Sequence, residues 1–235
     1  MPQPKPRILL KLSGEAFSAP NALGFCAKEM ASIADDIHAA HPQITLAIVM
    51  GGGNLIRGNM LKNTGVTSVT ADQMGMLATI QNALALQDLL CARNLPVYTA
   101  SALGIPGVIP AFDHRKALRK LDQGTIVIAA GGTGNPFFTT DSTASLRAIM
   151  LQMNLILKAT QVDGIYDKDP RKHPDAKRFE TLSFQEALNL QLEVMDQNAF
   201  IQCRDHQIPI RVFDMSPPHA LRQALQGAPL GTLCC

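Results

Sequence analysis

Residues suited to binding phosphate follow three apolar segments of the sequence. Lys11 lies at the end of the first segment and precedes Ser13-Gly14, and the run Gly51-Gly52-Gly53 follows the second, with Arg57 one helical turn further on. The third segment runs into glycines and then Thr139-Thr140-Asp141. Glycine turns let backbone N–H groups approach an anion, and lysine and arginine neutralise its charge. Each motif alone has a structural explanation (a tight turn, a solvated lysine, a helix cap), but their combination predicts a phosphate site.

The better-known nucleotide and hydrolase signatures do not occur in the sequence. No Gly-Lys dipeptide is present, which excludes a Walker-type phosphate loop, and no Gly-x-Gly-x-x-Gly follows the first apolar segment, which argues against a Rossmann dinucleotide site. There is also no Gly-x-Ser-x-Gly elbow and no His-Arg-Asp kinase loop. A phosphoryl-transfer enzyme with this sequence would therefore use a different phosphate cradle.

Short apolar runs alternate with segments of helical periodicity, and these are the elements that must position the candidate residues. The predicted strands are 7–12, 45–50, 95–99, 125–130, 155–159 and 210–213. The predicted helices are 27–40, 69–93, 113–121, 142–151 (capped by Thr140 or Asp141), 183–190, 195–206 and 217–224, and the polar segment 166–178 is predicted to be a hairpin or excursion. This order favours an α/β fold with a mostly parallel, doubly wound sheet and helices on both faces. Ligands of such sheets bind beyond the carboxyl ends of the strands, where the candidate residues lie.

Composition and charge restrict the class of protein. The 235 residues without an obvious linker favour a single domain, 1–235, with two lobes. Lys+Arg 21 against Asp+Glu 19, with no basic stripe, predicts no nucleic-acid binding. Five cysteines without Cys-x-x-Cys spacing predict neither a disulfide framework nor a zinc site. With no signal-peptide pattern and no run approaching the ~18 apolar residues of a membrane span, we expect a reduced, cytoplasmic protein without membrane contact.

Six segments resemble the bacterial uridylate (UMP) kinases, which belong to the amino acid kinase superfamily. They are 7–16 (RILLKLSGEA), 51–58 (GGGNLIRG), 71–79 (ADQMGMLAT), 133–141 (TGNPFFTTD), 157–169 (LKATQVDGIYDKD) and 208–215 (IPIRVFDM). The resemblance runs in order from about Arg7 to Leu233. Segment 133–141 is its most specific part, whereas the triple-glycine turn is shared across the superfamily. The resemblance implies an enzyme of pyrimidine nucleotide biosynthesis that transfers the γ-phosphoryl group of ATP to UMP, giving UDP and ADP.

The resemblance also implies roles for individual residues. The implied catalytic residues are Lys11, Arg57 and Asp141. The implied ATP-binding residues are Lys11, Leu12, Ser13, Gly14, Gly53, Arg57, Thr160, Tyr166 and Asp169. The implied UMP-binding residues are Gly52, Asp72, Thr133, Gly134, Asn135, Pro136, Phe137, Phe138, Thr139 and Thr140, with Asp72 meeting the ribose; for Phe137 and Phe138, packing in the core is an alternative. UMP is thereby expected on an N-terminal lobe, about 7–150, and ATP on a C-terminal lobe, about 151–235.

The chemistry of this reaction agrees with the residues present. The acceptor is itself a phosphate, mostly dianionic at neutral pH because its second pKa is ~6, so no catalytic base is required. Two polyanions must instead be brought together, and Lys11, Arg57, backbone amides and Mg²⁺ entering as MgATP can neutralise them. No protein side chain is assigned to the metal. The resemblance further implies a homohexamer, with GTP and UTP as candidate effectors, and the apolar helix 69–93 is compatible with a subunit contact.

Two other functions would keep the same fold. The acceptor could be a carboxylate or carbamate, as in acetylglutamate, glutamate and carbamate kinases, but those relatives lack the 133–141 string. A non-catalytic binding or storage protein on this scaffold, as in the molybdenum storage proteins, is opposed by the presence of Lys11, Arg57 and Asp141. A comparison of acceptors in an assay of ADP release would separate the three functions.

Overall fold

Strands and helices alternate along residues 5–61, 64–170, 172–192 and 195–235, which the computed structural model describes. The strands are β1 (Arg7–Leu12), β2 (Thr45–Met50), β3 (Val97–Ser101), β4 (Ile126–Ala130), β5 (Leu155–Thr160), β6 (Ile165–Tyr166), β7 (Arg178–Phe179), β8 (Thr181–Leu182), β9 (Ile210–Asp214) and β10 (Thr232–Cys234). The α-helices are α1 (Ala27–Ala40), α2 (Ser68–Cys91), α3 (His114–Asp122), α4 (Thr140–Met150), α5 (Phe184–Asn189), α6 (Gln197–Asp205) and α7 (Ala220–Leu225).

Eight of these strands form one sheet in the order β3-β4-β2-β1-β5-β9-β10-β8. Neighbouring strands are parallel except for β9 and β10, and β6 and β7 form a separate antiparallel pair. The central strands are apolar along their whole length because helices cover both faces of the sheet. The prediction of a mostly parallel, doubly wound α/β fold is therefore confirmed.

The two faces of the sheet are covered by different helices. Leu10 and Leu12 of β1 belong to a core cluster with residues of α1, α2 and α7, whereas Leu9 belongs to a second cluster with residues of α3, α4, α5 and α6. All three leucines are fully buried, and each contributes roughly 1.5–3 kcal/mol to the stability of the fold. The alternation along β1 thus divides the core into two layers.

The same alternation places two lysines on the α4 side of the sheet. Successive side chains of a strand point to opposite faces, so Lys11 lies on the same face as Leu9, and Lys158 lies on the same face as Ile156. Leu9 and Ile156 both belong to the second core cluster, the one that contains residues of α4. Strands β1 and β5 are parallel neighbours, and their register pairs Lys11 directly with Lys158. Two cations therefore lie side by side on one face of the sheet.

Several predicted boundaries differ from the structure. The strand predicted at 95–99 lies at Val97–Ser101, after Pro96. The last helix begins at Ala220 rather than 217, because Pro217 and Pro218 are followed by His219, whose backbone is in the left-handed region. The short strands β8 and β10 were not predicted, since two or three residues carry no periodicity. The helix predicted at 195–206 spans Gln197–Asp205, with Asp196 as its N-cap. Segment 166–178 begins and ends in the β6–β7 pair, which confirms the hairpin; position 171 lies outside the described residues.

The cap predicted for α4 was wrong by one or two residues. Thr139, rather than Thr140 or Asp141, is the N-cap, and its hydroxyl oxygen accepts hydrogen bonds from the N–H groups of Asp141 and Ser142. Asp141 therefore lies within the first turn of the helix, where a carboxylate interacts favourably with the helix dipole. Among the described residues, no helix is long and apolar enough to cross a bilayer.

Candidate active site

Asp141 joins the two lysines of the sheet. Its Oδ1 lies 3.0 Å from Lys11 Nζ, and its Oδ2 accepts a hydrogen bond of 2.7 Å from Lys158 Nζ. All three side chains are largely buried. Asp141 enters this position from the first turn of α4, above the carboxyl ends of β1 and β5. The cluster carries two positive charges and one negative charge, so it retains a net positive charge toward a ligand.

Burial and charge act against each other within this cluster. Burial disfavours the ionised form of Asp141, but the charges of Lys11 and Lys158 outweigh it and hold the pKa of Asp141 below its usual value. Burial lowers the pKa of Lys158, and the negative charge of Asp141 only partly opposes this shift. Asp141 is therefore ionised at neutral pH, and Lys158 loses its proton more readily than an exposed lysine.

Two glycine turns meet beside this cluster because β1 and β2 end at the same level. A Cβ on Gly14 would collide with the backbone nitrogen of Gly53, and a Cβ on Gly53 would come within 2.5 Å of Glu15 Oε1. The close approach of the two turns therefore requires glycine at position 14, whereas a Cβ at position 53 would displace only the end of the flexible Glu15 side chain. The backbone of both turns is thereby presented at the end of the sheet, as an anion-binding loop requires.

A buried pair of amide side chains holds the second turn in place. Asn82 of α2 donates to the carbonyl of Gly51 at 2.7 Å and to Asn54 Oδ1 at 2.8 Å. Asn54 donates in return to Asn82 Oδ1 at 3.1 Å and to the carbonyl of Gly24 at 3.2 Å. Both side chains are fully buried, and these bonds satisfy polar groups that would otherwise be costly to bury. The turn is therefore fixed to α2.

Arg57 lies beside the two turns with its side chain accessible. Its Nε donates to the carbonyl of Gly53 at 3.3 Å and lies 3.8 Å from Glu15 Oε1. An exposed ion pair of this length contributes about 0–1 kcal/mol. The guanidinium can therefore exchange these partners for an anionic ligand at little cost.

One cavity, which we call the α2–α4 cavity, lies between the second glycine turn and the start of α4. It is lined by Gly52, Gly53, Ile56, Ala71, Asp72, Gly75, Met76, Thr79, Gly132, Asn135, Phe138, Thr139 and Thr140. Six of the predicted UMP-binding residues are in this set: Gly52, Asp72, Asn135, Phe138, Thr139 and Thr140. The structure thus brings most of that prediction to one place.

Asp72 holds the loop that closes this cavity. Its Oδ2 accepts a hydrogen bond of 2.7 Å from the backbone N–H of Phe137, a residue with φ +68°. The side chain of Phe137 is 74% exposed and that of Phe138 is 54% exposed, so the core-packing alternative for these two residues is wrong. Asp72 therefore acts on loop conformation as well as facing the cavity.

A second cavity, which we call the β5–β6 cavity, extends from the end of β5 to the β6–β7 pair. It measures about 530 Å³ and is lined by Lys158, Thr160, Val162, Gly164, Tyr166, Asp167, Lys168, Asp169, Pro170, Leu190, Gln191, Leu192 and Val212. Thr160, Tyr166 and Asp169, three predicted ATP-binding residues, are members of this set. Lys158 joins this cavity to Asp141, and Asp141 follows Thr140 of the α2–α4 cavity, so the lysine–aspartate cluster lies between the two.

Other predicted residues lie outside these two cavities. Leu12 is fully buried, so only its backbone can face a ligand, and Ser13 lines a separate cavity between the ends of β1, β5 and β9 and helices α1 and α7. Thr133 lines a shallow depression with Arg147, whose guanidinium stacks 3.9 Å from the ring centre of Phe112. Gly134, Pro136 and Phe137 belong to the same loop but do not line the α2–α4 cavity.

Sequence reasoning missed Lys158, Asn82 and Asp196 as residues of the site. A signal for Lys158 was present, because a lysine interrupts the apolar segment Leu155–Thr160 just as Lys11 interrupts Arg7–Leu12. No local pattern marks Asn82, whose partners lie far away in sequence, and none marks the distant contact of Asp196 with Ser142, although its bond to Ala199 is local. Among the residues that the structure describes, no group of three or more His, Cys, Asp or Glu side chains is arranged to hold a metal ion.

Comparison with known proteins agrees with this geometry. The model of the amino acid kinase family matches residues 6–214. The uridylate kinase of Dichelobacter nodosus is 48% identical over 98% of both chains, and that of Legionella pneumophila strain Paris is 48% identical over 97% of this chain and 92% of the relative. The crystal structure of UMP kinase from Bacillus anthracis matches with a TM-score of 0.94 at 35% identity, covering 99% of this chain and 96% of that one. UMP kinase from Ureaplasma parvum matches with a TM-score of 0.94 at 32% identity, covering 99% of both chains. The resemblance predicted from the sequence is confirmed, and the chain belongs to the amino acid kinase family, among its uridylate kinases.

Proposed function

We propose that the chain transfers the γ-phosphoryl group of ATP to UMP, giving ADP and UDP, as a step of pyrimidine nucleotide biosynthesis. The observation that carries this proposal is the cluster of Lys11, Asp141 and Lys158 between two cavities. A phosphoryl group passing from one cavity to the other would cross this cluster. Transfer between two phosphates requires positioning and charge neutralisation rather than a base, and the cluster supplies both. The relatives named uridylate kinase support the choice of acceptor.

The cavities divide the substrates between them in this proposal. UMP occupies the α2–α4 cavity, where Asp72 faces the ribose and Thr140 faces the phosphate. Thr139 lines the same cavity, but its hydroxyl is engaged by Asp196 and by the N–H groups of Asp141 and Ser142. ATP occupies the β5–β6 cavity, with its adenosine near Tyr166 and its phosphates reaching toward Lys158. The division follows the predicted lobes, about 7–150 for UMP and about 151–235 for ATP.

The phosphates meet at the end of the sheet. Lys11 and Lys158 neutralise the oxygens of the transferred group, Asp141 bridges and orients the two lysines, and Arg57 reaches across from the glycine turns. The backbone N–H groups of the turns at Gly14 and Gly53 add dipoles at the same place. Lys11, Lys158 and the two turns are held by the structure before a ligand arrives, so little reorganisation of these groups accompanies transfer.

Mg²⁺ enters this proposal with the nucleotide. The groups around Asp141 are ammonium cations and N–H donors, which fit phosphate oxygens, whereas Mg²⁺ takes oxygen ligands. Both oxygens of Asp141 already face lysines. The metal would therefore be held by the phosphates of ATP, where it neutralises part of their negative charge.

The experiment that tests this function is a coupled assay of ADP release with different acceptors. UMP, CMP, glutamate and acetylglutamate are compared at equal concentrations, with Asp141→Ala as a variant that lacks the centre of the cluster. We expect strong preference for UMP and loss of turnover in the variant. A site that hydrogen-bonds one base rejects another because buried polar groups are left unpaired. Turnover with an amino acid acceptor but not with UMP would overturn the proposal, and equal use of CMP would contradict the role of loop 133–140.

The remaining expectations concern the protein outside its site. We infer a homohexamer from the family resemblance, and exposed apolar side chains such as Val69 and Leu77 on α2 are compatible with a subunit contact. We propose a reducing, cytoplasmic location, in which the five free thiols would stay reduced. GTP and UTP remain candidate effectors from the resemblance alone.

A further inference from the structure

Asp196 connects the starts of two helices. One carboxylate oxygen, Oδ1, accepts a hydrogen bond of 2.7 Å from the backbone N–H of Ala199 and so caps α6. The other oxygen, Oδ2, accepts hydrogen bonds from the hydroxyls of Thr139 and Ser142, the latter at 2.7 Å. A helix cap needs only the first of these contacts. The second oxygen is therefore committed to the start of α4.

The bond from Thr139 determines how that hydroxyl caps α4. A hydroxyl has one donor hydrogen and two acceptor lone pairs. Because Asp196 takes the hydrogen, the lone pairs of Thr139 Oγ1 are left for the N–H of Asp141 at 3.0 Å and the N–H of Ser142 at 3.3 Å. Asp196 thus orients the group that holds the backbone of Asp141.

The charge of Asp196 acts on the same site. Burial lowers the pKa of Lys158 and the charge of Lys11 adds to this, while the negative charges of Asp141 and Asp196 oppose it. Removing the charge of Asp196 should therefore lower the pKa of Lys158 further. This effect passes through space and does not depend on the cap of α6.

We propose that Asp196 is a positioning residue for phosphoryl transfer, which sets the start of α4 so that Asp141 bridges Lys11 and Lys158. In the hydrogen-bond chain, Thr139 and Asp141 stand between Asp196 and the two lysines, so Asp196 acts through Thr139 rather than on a substrate. A misplacement of about 1 Å in such a site can cost ~10²-fold in rate. The inference rests on the proposed UMP kinase function.

The first test is Asp196→Asn, assayed for UDP formation in the full-length protein. Asparagine caps helices as well as aspartate does, so α6 should keep its cap and the melting temperature should change little. The amide cannot accept two hydroxyl bonds while also capping α6 and carries no charge, so we expect kcat to fall by ~10–100-fold with each KM changed by less than about twofold. The matched control is Asp113→Asn, another capping aspartate, which accepts a hydrogen bond of 2.9 Å from the N–H of Lys116 at the start of α3. Its kcat should stay at the wild-type value.

The pH profile separates positioning from a structural role. In Asp196→Asn the loss of kcat at alkaline pH should begin at lower pH than in the wild type, because Lys158 loses a stabilising negative charge. A double-mutant cycle with Thr139→Val adds a second readout. If Asp196 acts through Thr139, the double variant should be about as slow as the slower single variant.

Each alternative outcome has a defined meaning. Wild-type kcat in Asp196→Asn, additive losses in the cycle, or a lowered melting temperature with an unshifted pH profile would overturn the inference. If Asp196→Asn does not fold, Asp196→Ser, which also caps helices, carries the same measurements. A wild-type protein that makes no UDP would overturn the proposed function, whereas an active wild type with an unaffected variant overturns only the role of Asp196.

Discussion

At the scale of single residues, the main feature is a pair of lysines held together by one carboxylate. Lys11 and Lys158 are opposite each other in the β1–β5 register, and without Asp141 their charges would repel. Breaking a buried charge pair is costly because one partner is left uncompensated. In this cluster, removal of one lysine still leaves Asp141 paired with the other, so the fold should tolerate loss of either lysine.

The first prediction concerns Lys11→Ala and Arg57→Ala. Each cation should bind the transferring phosphoryl group more strongly than either ground-state substrate, so its removal should lower kcat more than it raises KM. By analogy with arginine fingers, the loss should be ~10³-fold, or about 4 kcal/mol. Arg57→Lys should recover part of the rate, because lysine keeps the charge but loses the planar fork.

The control for this prediction is Arg204→Ala. Arg204 is also exposed and paired with a carboxylate, Asp205 at 2.9 Å, but it lies at the end of α6. Its removal should leave steady-state kinetics unchanged. A folded Lys11→Ala protein with near-wild-type kcat at saturating magnesium would contradict the mechanism.

The second prediction is a dependence on alkaline pH set by Lys158. Its pKa is lowered by burial, and transfer requires its charged form, so kcat should fall with rising pH before an ordinary lysine would titrate. Over the same range the unfolded chain binds the proton more tightly than the folded one, so the free energy of unfolding should rise as activity falls. The opposite directions distinguish this titration from alkaline unfolding.

Lys158→Arg provides the measurement for the second prediction. Arginine stays charged, so the alkaline loss of kcat should move to higher pH in this variant. Lys28→Arg, at an exposed position of α1, serves as the control and should leave the profile unchanged. An identical alkaline limb in the wild type and in an active Lys158→Arg variant would assign the titration to another group.

At the scale of elements, the glycines decide how closely strands, turns and helices approach. Gly52 follows β2 and lies against α2, where a Cβ would come within 2.7 Å of Ala78 Cβ and 2.9 Å of the Gly75 carbonyl. Gly75 lies inside α2, and a Cβ there would meet nothing within 4 Å. Packing against α2 thus requires glycine at position 52, whereas no contact within the protein requires glycine at position 75.

The third prediction compares alanine at these two positions. Gly52→Ala should destabilise the protein by about 1–3 kcal/mol, because the backbone of the turn must move away from α2. Gly75→Ala should stabilise it by roughly 0.5–1 kcal/mol, because alanine loses less conformational entropy in a helix. Urea unfolding measures both changes. Shifts of the same sign in both variants would show that the turn is not packed against α2 as described.

At the scale of the whole molecule, the site lies at the carboxyl end of the sheet, and α2 exposes apolar side chains. Val69 and Leu77 of α2 are eight positions apart, so they lie on the same face of the helix, and Leu77 is 45% exposed. Asn82 and Thr79 of the same helix face the glycine turns. A subunit contact on the exposed face of α2 would therefore touch the helix that fixes the site.

The fourth prediction is that Leu77→Lys weakens assembly. A lysine placed in an apolar contact must lose its hydration without a partner, so the sedimenting mass should fall below that of the wild type. Ile201→Lys, an exposed apolar position on α6, is the control and should sediment as the wild type does. A Leu77→Lys protein with an unchanged mass would place the subunit contact elsewhere.

The sequence by itself was sufficient for the class of fold and for part of the site. Apolar runs such as Thr45–Met50 and helical periodicity are local signals, and they predicted the central strands and most helices within a few residues. Lys11, Arg57 and Asp141 could be singled out because they stand next to glycine turns at strand ends. Segment 133–141 indicated the family because its nine residues are contiguous and can be compared without knowledge of the fold.

Only the tertiary structure decided which distant residues meet. The pairing of Lys11 with Lys158 depends on strand order and register, and the chain Asp196–Thr139–Asp141 depends on the packing of α6 beside α4. The short strands β8 and β10 exist because neighbouring strands supply their hydrogen bonds, not because of their own residues. Contacts between residues far apart in the chain leave no local pattern, because they arise from the geometry of the assembled sheet and helices.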